Sequence, residues 1–166
     1  MSEAHWRPAY IGVGSNLDNP LAQVQSGIRA LAVIRDTDVT LTSPFYQSKP
    51  LCGTDQPDYI NAVVALLTTL GVRDLFAALK LIEEQHGRDR SAERWGPRTL
   101  DLDLLAFSGL ILSDADLSVP HPGVAERNFV LLPWREIAPH YRVPGLSTVA
   151  ELAASVGNQP AIDRIS

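Results

Sequence analysis

The sequence predicts an α+β fold of the ferredoxin-like βαββαβ type: an antiparallel sheet with helices on one face, followed by a C-terminal α/β extension. The main observation is the order of apolar segments, which have the periods of strand, helix, strand, strand, helix and strand. The chain is also 166 residues long, an ordinary length for one domain, and contains no repeat or linker. We therefore expect residues 1–166 to form a single domain, with residues 1–8 as a flexible N-terminal extension.

The first predicted strand is the apolar segment Ala9 to Val13, and Gly14-Ser15-Asn16 after it indicates a turn. A helix should follow, with Asn19 as its N-cap and Pro20 as its first helical residue. Its apolar residues repeat at helical spacing, at Leu21, Val24, Ile28 and Leu31.

The second strand is predicted from alternating residues between Val39 and Phe45, where Pro44 indicates an edge or a bulge. Residues 49–57 then read as a long loop. The segment Tyr59 to Leu67 is nearly continuously apolar, which is typical of a central strand covered on both faces.

A second amphipathic helix is predicted from Val72 to Ile82, closed by Gly87 in a left-handed conformation. The alternating segment Leu100 to Leu104 should form the next strand. Thr148 and Glu151 have the spacing of a capping box for a last short helix that ends at Gly157.

Composition excludes several classes of protein. The net charge of −5 argues against a general nucleic-acid binder, whose affinity comes mainly from a basic surface. No apolar run is long enough to span a membrane, so we expect no membrane partner. Cys52 is the only cysteine, which excludes an internal disulfide and favours the reducing cytoplasm.

Asp101 and Asp103 alternate with leucines, so both carboxylates should project from one face of their strand. Two adjacent carboxylates repel each other unless a cation lies between them. That cation is either a neighbouring arginine, which would make the pair a solvated surface feature, or a metal ion. Oxygen ligands of this kind favour Mg²⁺, usually completed by substrate phosphates.

Basic residues are concentrated in the loop directly before this strand, at Arg88, Arg90, Arg94 and Arg98. Guanidinium groups are suited to bidentate contact with phosphate oxygens. The concentration of charge favours one small polyanion over a duplex, although a solvated charged loop is the alternative. Trp95 lies among these arginines and is suited to cover a ring.

The sequence lacks the common backbone motifs for phosphate binding. Gly12-Val13-Gly14 has no third glycine of a dinucleotide fingerprint, and no G-x-x-x-x-G-K-[ST] occurs. Side chains must therefore hold any bound nucleotide. We expect Gly12 and Gly14 to serve turn geometry, with close approach of the backbone to a ligand as a secondary role.

Three further positions have two interpretations each. Asn61 is a polar residue in an apolar strand, with Tyr59 on the same face, and either reads the edge of a heterocycle or bonds internally. Phe129 is equally a core residue or a stacking partner. His121, between two prolines, either donates to a phosphate or is a plain turn histidine.

With these residues identified, the chain resembles the hydroxymethyldihydropterin pyrophosphokinases of the folate pathway over nearly its whole length. The resemblance is carried by four segments: Tyr10-Ile11-Gly12-Val13-Gly14-Ser15-Asn16-Leu17, Asp55-Gln56-Pro57-Asp58-Tyr59-Ile60-Asn61-Ala62, Arg94-Trp95-Gly96-Pro97-Arg98-Thr99-Leu100-Asp101-Leu102-Asp103, and Val119-Pro120-His121 with Arg127 and Phe129. The third segment is close to a family signature.

The resemblance implies transfer of diphosphate from ATP to the pterin alcohol, with release of AMP. It implies that Asp101 and Asp103 bind two Mg²⁺ ions, and that Arg90 and Arg98 stabilise the transferred group. The implied ATP neighbours are Glu83, Arg88, Arg90, Trp95, Arg98, Ser118, His121 and Arg127. The implied pterin neighbours are Ser48, Leu51, Tyr59, Asn61, Trp95 and Phe129.

Five positions depart from the family pattern, which affects the expected affinities: Ser48, Lys49, Lys80, Asp116 and Pro122. A monomer that passes its product to dihydropteroate synthase is the expected setting. Two alternatives remain open from the residues: a non-catalytic ferredoxin-like sensor of nucleotide or pterin, and a Mg-dependent phosphohydrolase that uses the same aspartates.

Overall fold

The computed structural model describes residues 4–50, 55–87 and 99–166. The strands in this part are β1 (Arg7–Ser15), β2 (Thr37–Thr42), β3 (Tyr46–Ser48), β4 (Tyr59–Thr68), β5 (Asp101–Phe107), β6 (Leu112–Ser113), β7 (Ser118–Val119) and β8 (Ile162–Arg164). The α-helices are α1 (Pro20–Ala32), α2 (Val72–Gln85), α3 (Asn128–Ile137) and α4 (Val149–Ser155). None of these helices is long and apolar enough to cross a membrane.

The main sheet is antiparallel, as predicted. Its strand order is β5-β1-β4-β3-β8, and β2 pairs with β4 beyond the end of β3. The prediction of a central apolar strand is confirmed, because β4 lies between β1 and the β2–β3 side and most of its residues are buried.

Several sequence signals are confirmed at the helix ends. The side chain of Asn19 accepts a hydrogen bond from Ala22 N at the start of α1. Gly87 follows α2 with φ 82°, and Thr148 Oγ1 accepts from Glu151 N at the start of α4. Each of these bonds or conformations satisfies groups that a helix end leaves without intrahelical partners.

Two predicted boundaries are wrong. Arg7 and Pro8 belong to β1, where they pair with Thr68 and Leu67, and are therefore not part of a flexible extension. The same strand continues through Gly14 to Ser15, so no turn begins at Gly14. The ladder to β4 extends over both ends of the apolar segment, which local composition does not reveal.

The sheet separates two hydrophobic clusters. On one face, which we call the helix face, Ile11, Leu66 and Leu102 pack with residues of α1 and α2. On the opposite face, which we call the site face, Val63 and Leu105 pack with α3 and α4 around the buried Trp134. The two helices predicted for the βαββαβ part, α1 and α2, therefore lie on one face of the sheet as expected. The opposite face is covered by the C-terminal part of the chain, through α4 and through α3, which the sequence did not predict.

Candidate functional site

The site face carries the predicted site residues on three adjacent strands. Gly14 of β1 pairs with Asn61 of β4 on one side and with Asp101 of β5 on the other. Gly12, two residues earlier, pairs in the same way with Val63 and Asp103. Residues paired across antiparallel strands share a face, so the amide and the two carboxylates point to the same side of the sheet.

The predicted alternation of Asp101 and Asp103 with leucines is confirmed. Both aspartates are partly exposed, whereas Leu102 and Leu104 are buried on the helix face. Nη1 of Arg127 lies 3.9 Å from Oδ2 of Asp103, at the outer limit of an ion pair. The arrangement presents carboxylate oxygens from one strand toward a single region of space.

This donor set fits Mg²⁺. No group of three or more potential metal-binding side chains occurs in residues 4–50, 55–87 and 99–166. Mg²⁺ is usually bound by one or two carboxylates with phosphates and water as the remaining ligands, so the pair needs no third protein ligand.

A cavity of about 300 Å³ connects the aspartates with the predicted acceptor residues. Eight predicted site residues line it: Ser48, Tyr59, Asn61, Asp101, Asp103, His121, Arg127 and Phe129. Two predicted site residues do not line it, Glu83 and Ser118. The predictions for Leu51, Arg88, Arg90, Trp95 and Arg98 concern residues outside the described part of the chain.

The end of the cavity that lies away from the aspartates is built on β3 and β4. Nδ2 of Asn61 donates to Oγ of Ser48 over 2.8 Å, and both residues are buried. The internal bond considered for Asn61 is therefore present. This bond uses one of the two amide hydrogens of Asn61, and neither the second hydrogen nor the Oδ1 atom of Asn61 takes part in it.

Aromatic rings flank this polar pair. Tyr59 lies on β4 and lines the cavity beside Asn61. Phe129, at the start of α3, packs against the site-face core and also lines the cavity. Its core role is therefore confirmed, and its role as a stacking partner stays a prediction. The guanidinium carbon of Arg127 lies 5.9 Å from the centre of the Phe129 ring.

His121 lines the cavity and is held by two hydrogen bonds to the backbone. Its N–H donates to the carbonyl of Leu105 over 2.9 Å, and its Nδ1 accepts from the N–H of Gly123 over 3.1 Å. In the neutral ring the proton therefore lies on Nε2. Burial lowers the pKa of His121, although the charge of Asp103 acts in the opposite direction.

Glu83 lies behind the carboxylate strand rather than in the cavity. It is 1% exposed, and its Oε2 accepts from the N–H of Leu102 over 2.9 Å. Nζ of Lys80 lies 3.2 Å from the other carboxylate oxygen. Leu102 is the residue between the two aspartates, so Glu83 contacts the backbone that carries them.

Sequence reasoning missed Gln56, which lines the cavity and accepts a hydrogen bond from Nδ2 of Asn16 over 3.1 Å. The same amide nitrogen donates to the carbonyl of Pro57. In the sequence, this loop contact is indicated only by Asn16, a polar residue directly after the apolar first strand. Asn16 is buried, with 1% of its surface exposed. A buried amide requires partners, and here it holds the loop at one side of the cavity.

The chain is similar to known proteins over this same region. Residues 10–139 match the family model described as 7,8-dihydro-6-hydroxymethylpterin-pyrophosphokinase (HPPK). A 2-amino-4-hydroxy-6-hydroxymethyldihydropteridine pyrophosphokinase of Haemophilus influenzae is 40% identical over 154 residues, which are 93% of this chain and 96% of that protein. The enzyme of that name from Pseudomonas aeruginosa is 43% identical over 146 residues, or 88% and 90% of the two chains.

Solved structures share the fold. The crystal structure of Plasmodium falciparum wild-type HPPK-DHPS with pteroate has a TM-score of 0.73 at 13% identity and covers 93% of this chain. An HPPK-DHPS in complex with substrates has a TM-score of 0.71 at 12% identity and covers 91%. This chain spans 43% of the length of each of those chains. From the family model and the sequence identities, the chain belongs to the 7,8-dihydro-6-hydroxymethylpterin-pyrophosphokinase family.

Proposed function

We propose that this chain transfers diphosphate from ATP to the hydroxymethyl group of 6-hydroxymethyl-7,8-dihydropterin, giving AMP and the pterin diphosphate for tetrahydrofolate synthesis. The observation that carries the proposal is the single cavity lined by a carboxylate pair at one end and by an amide and two aromatic rings at the other. Relatives at about 40% identity carry the name of this activity.

The acceptor end suits a flat ring with an amide-like edge. Asn61 is held by Ser48, so its amide plane is fixed before a ligand binds. An amide offers both a donor and an acceptor, and the rings of Tyr59 and Phe129 provide stacking surfaces. A pterin has this combination of a planar face and a hydrogen-bonding edge.

The phosphate end suits a triphosphate with its metal ions. Asp101 and Asp103 would hold Mg²⁺, and we propose two ions. Bound there, the metal would neutralise negative charge on the phosphates. Arg127, which lies near Asp103, adds a positive charge, and the Nε2–H of His121 adds a donor in the same cavity.

The reaction is in-line attack by the hydroxymethyl oxygen on the β-phosphorus of ATP. A bond forms between these atoms while the bond from the β-phosphorus to the oxygen shared with the α-phosphate breaks. AMP leaves with the electron pair of that bond, and the hydroxyl proton is released to water. Such reactions depend mainly on positioning and on stabilisation of charge. We assign no general base. We propose that Arg90 and Arg98 stabilise the transferred group and that Arg88 and Trp95 contact ATP.

The remaining site predictions are also part of the proposal. Leu51 and Trp95 would contact the pterin, and Glu83 and Ser118 would lie near ATP. The position of Glu83 behind β5 favours an indirect effect through the strand. Ser118 lies in β7, which pairs with β6 outside the main sheet.

In the sheet, β1 lies between β5 and β4, and β4 lies between β1 and β2. This order supports a ferredoxin-like assignment for the predicted βαββαβ elements, which end with β5. The solved HPPK-DHPS chains support the proposal that the product passes to a dihydropteroate synthase. A monomeric state and a cytoplasmic location remain predictions from the sequence.

An assay of nucleotide products tests the function. The purified chain is incubated with Mg-ATP, with and without 6-hydroxymethyl-7,8-dihydropterin, and AMP is measured by ion-exchange chromatography. The proposal predicts AMP only when the pterin is present. A sensor would give no product, and a phosphohydrolase would release phosphate or diphosphate without the pterin. Either result would overturn the proposal.

A further inference from the structure

We propose that Gly12 and Gly14 form a trough along β1 in which the acceptor alcohol meets the transferred phosphate, and that Gly14 determines which acceptors fit. The inference rests on the proposed function. It concerns a strand that lies between the two halves of the site and has no side chain toward the cavity at these positions.

The register places Gly14 between the two ends of the reaction. Asn61 is its partner on β4 and Asp101 is its partner on β5. Adjacent strands lie about 4.8 Å apart, so the backbones of these two partners are separated by roughly 10 Å. A ligand that contacts both the amide and the metal carboxylates must cross β1 at Gly14.

The backbone does not require glycine here. Gly87 and Gly145 are the glycines with positive φ in the described part of the chain, and neither Gly12 nor Gly14 is among them. Glycine weakens the interior of a strand because it loses more conformational freedom and packs no side chain. Since the backbone conformation suits any residue, a side chain at either position would act through the space above the strand.

That space is limited at Gly14. A Cβ atom added there would lie 3.3 Å from Oδ1 of Asn61 and 3.9 Å from Cδ1 of Tyr59. It would raise the floor of the trough by about 1.5 Å, the length of a carbon–carbon bond. It would therefore both push the amide that reads the acceptor and occupy part of the volume under the ring.

Gly12 differs in its neighbours. A Cβ added there would lie 3.4 Å from Cδ2 of Leu105, the end of a side chain that can adjust. Its partner on β5 is Asp103, so the added atom would lie beside the metal end of the cavity. The two glycines should consequently affect different ligands when they are replaced.

The test compares G14A and G12A with the parent and with G109A. Gly109 has no atom within 4 Å of an added Cβ and no positive φ, which makes it a matched control. Acceptor binding is measured by pterin fluorescence and Mg-ATP binding by calorimetry, and kcat is measured from AMP formation. Melting curves establish that each variant is folded.

For G14A we expect the Kd of the acceptor to rise at least about tenfold, while the Kd of Mg-ATP changes less than about twofold. For G12A we expect kcat to fall about tenfold with acceptor affinity nearly unchanged. G109A should match the parent within about twofold in all three quantities. This pattern would support the trough, because a general loss of structure would weaken both ligands together.

Parental acceptor affinity in G14A, or an equal loss of both affinities, would overturn the proposal. If G14A does not fold, the measurements on G12A test the proposal instead. A kcat of G12A equal to that of the parent would overturn it, and a reduced kcat with retained acceptor binding would support it. Absence of AMP formation by the parent would instead refute the proposed function, whereas acceptor binding to G14A would still report on the trough.

Discussion

Replacing Glu83 by alanine tests how the carboxylate strand is held in position. Among the described residues β5 is the edge strand of the main sheet, so alternate N–H groups on its outer side face no neighbouring strand in this part of the chain. The N–H of Leu102, between Asp101 and Asp103, donates instead to the buried carboxylate of Glu83. Alanine removes this acceptor and leaves the strand without that support from α2.

The expected cost follows from the burial of the bond. A buried N–H that loses its acceptor costs about 1–3 kcal/mol. Glu83 is 1% exposed, so lost packing adds to this, whereas the partly exposed Lys80 can be hydrated. We expect Glu83→Ala to lower the free energy of unfolding by about 2 kcal/mol or more. Glu83→Gln keeps a carbonyl acceptor and should cost less.

Urea unfolding followed by circular dichroism measures these values, with the exposed neighbour Glu84→Ala as the control. The slope of the transition should stay constant, so that midpoints report stability. We also expect Mg-ATP to bind Glu83→Ala more weakly, because the backbone of Asp101 and Asp103 can shift. Equal stability of Glu83→Ala and Glu84→Ala would refute the reasoning.

Three other predictions follow from single contacts. Asp101→Ala and Asp103→Ala should each abolish AMP formation while circular dichroism shows an unchanged fold, and near-normal turnover in either variant would contradict their proposed role at the metal. Asn61→Ala should raise the KM of the pterin by about tenfold or more, since Ser48 loses its hydrogen-bond donor and the edge of the pterin ring loses its hydrogen-bond partner. An unchanged KM would show that Asn61 does not recognise the pterin. Burial and the bond to Glu136 raise the pKa of Tyr46 from 10.0 to about 12. As pH rises, Tyr46 therefore ionises at a lower pH in the unfolded chain than in the folded chain. The contribution of neutral Tyr46 to the free energy of unfolding is present below pH 10 and is lost as pH approaches 12. Urea titrations at several alkaline pH values should show a smaller loss of stability for Tyr46→Phe than for the parent, and equal losses would argue against this contribution.

Local pattern was sufficient where one physical cause dominates. Alternation alone placed Asp101 and Asp103 on one face, because a strand has a period of two. The continuous apolar run identified β4 as a strand buried on both sides. Asn19 and Thr148 marked helix starts because their side chains satisfy backbone donors.

Elements that depend on distant partners were not predicted. The predicted second strand, Val39 to Phe45, overlaps β2 only, and residues 43–45 separate β2 from β3. Within this break, Ser43 Oγ accepts a hydrogen bond from the N–H of Val63. β8 forms only because three residues near the C-terminus pair with β3. The helix α3 contains Pro133, which argues against a helix in a local reading, yet its apolar face is buried on the sheet.

The same limit applies to the site. Asn61 and Phe129 were recognised as candidates from chemistry, but only the fold shows that both line one cavity. Gly14 had the local signature of a turn and instead lies inside a strand between two functional side chains. The backbone contact of Glu83 joins residues 19 positions apart, so no motif could reveal it.

Transfer of label from ATP shows directly whether this chain moves a diphosphate to the pterin. In a single turnover with Mg²⁺, 6-hydroxymethyl-7,8-dihydropterin and ATP that carries ³²P in the β-phosphate, products are separated and counted. We expect the label to appear in the pterin diphosphate and AMP to be unlabelled. Label in ADP, inorganic phosphate or free diphosphate, formed equally without the pterin, would contradict it.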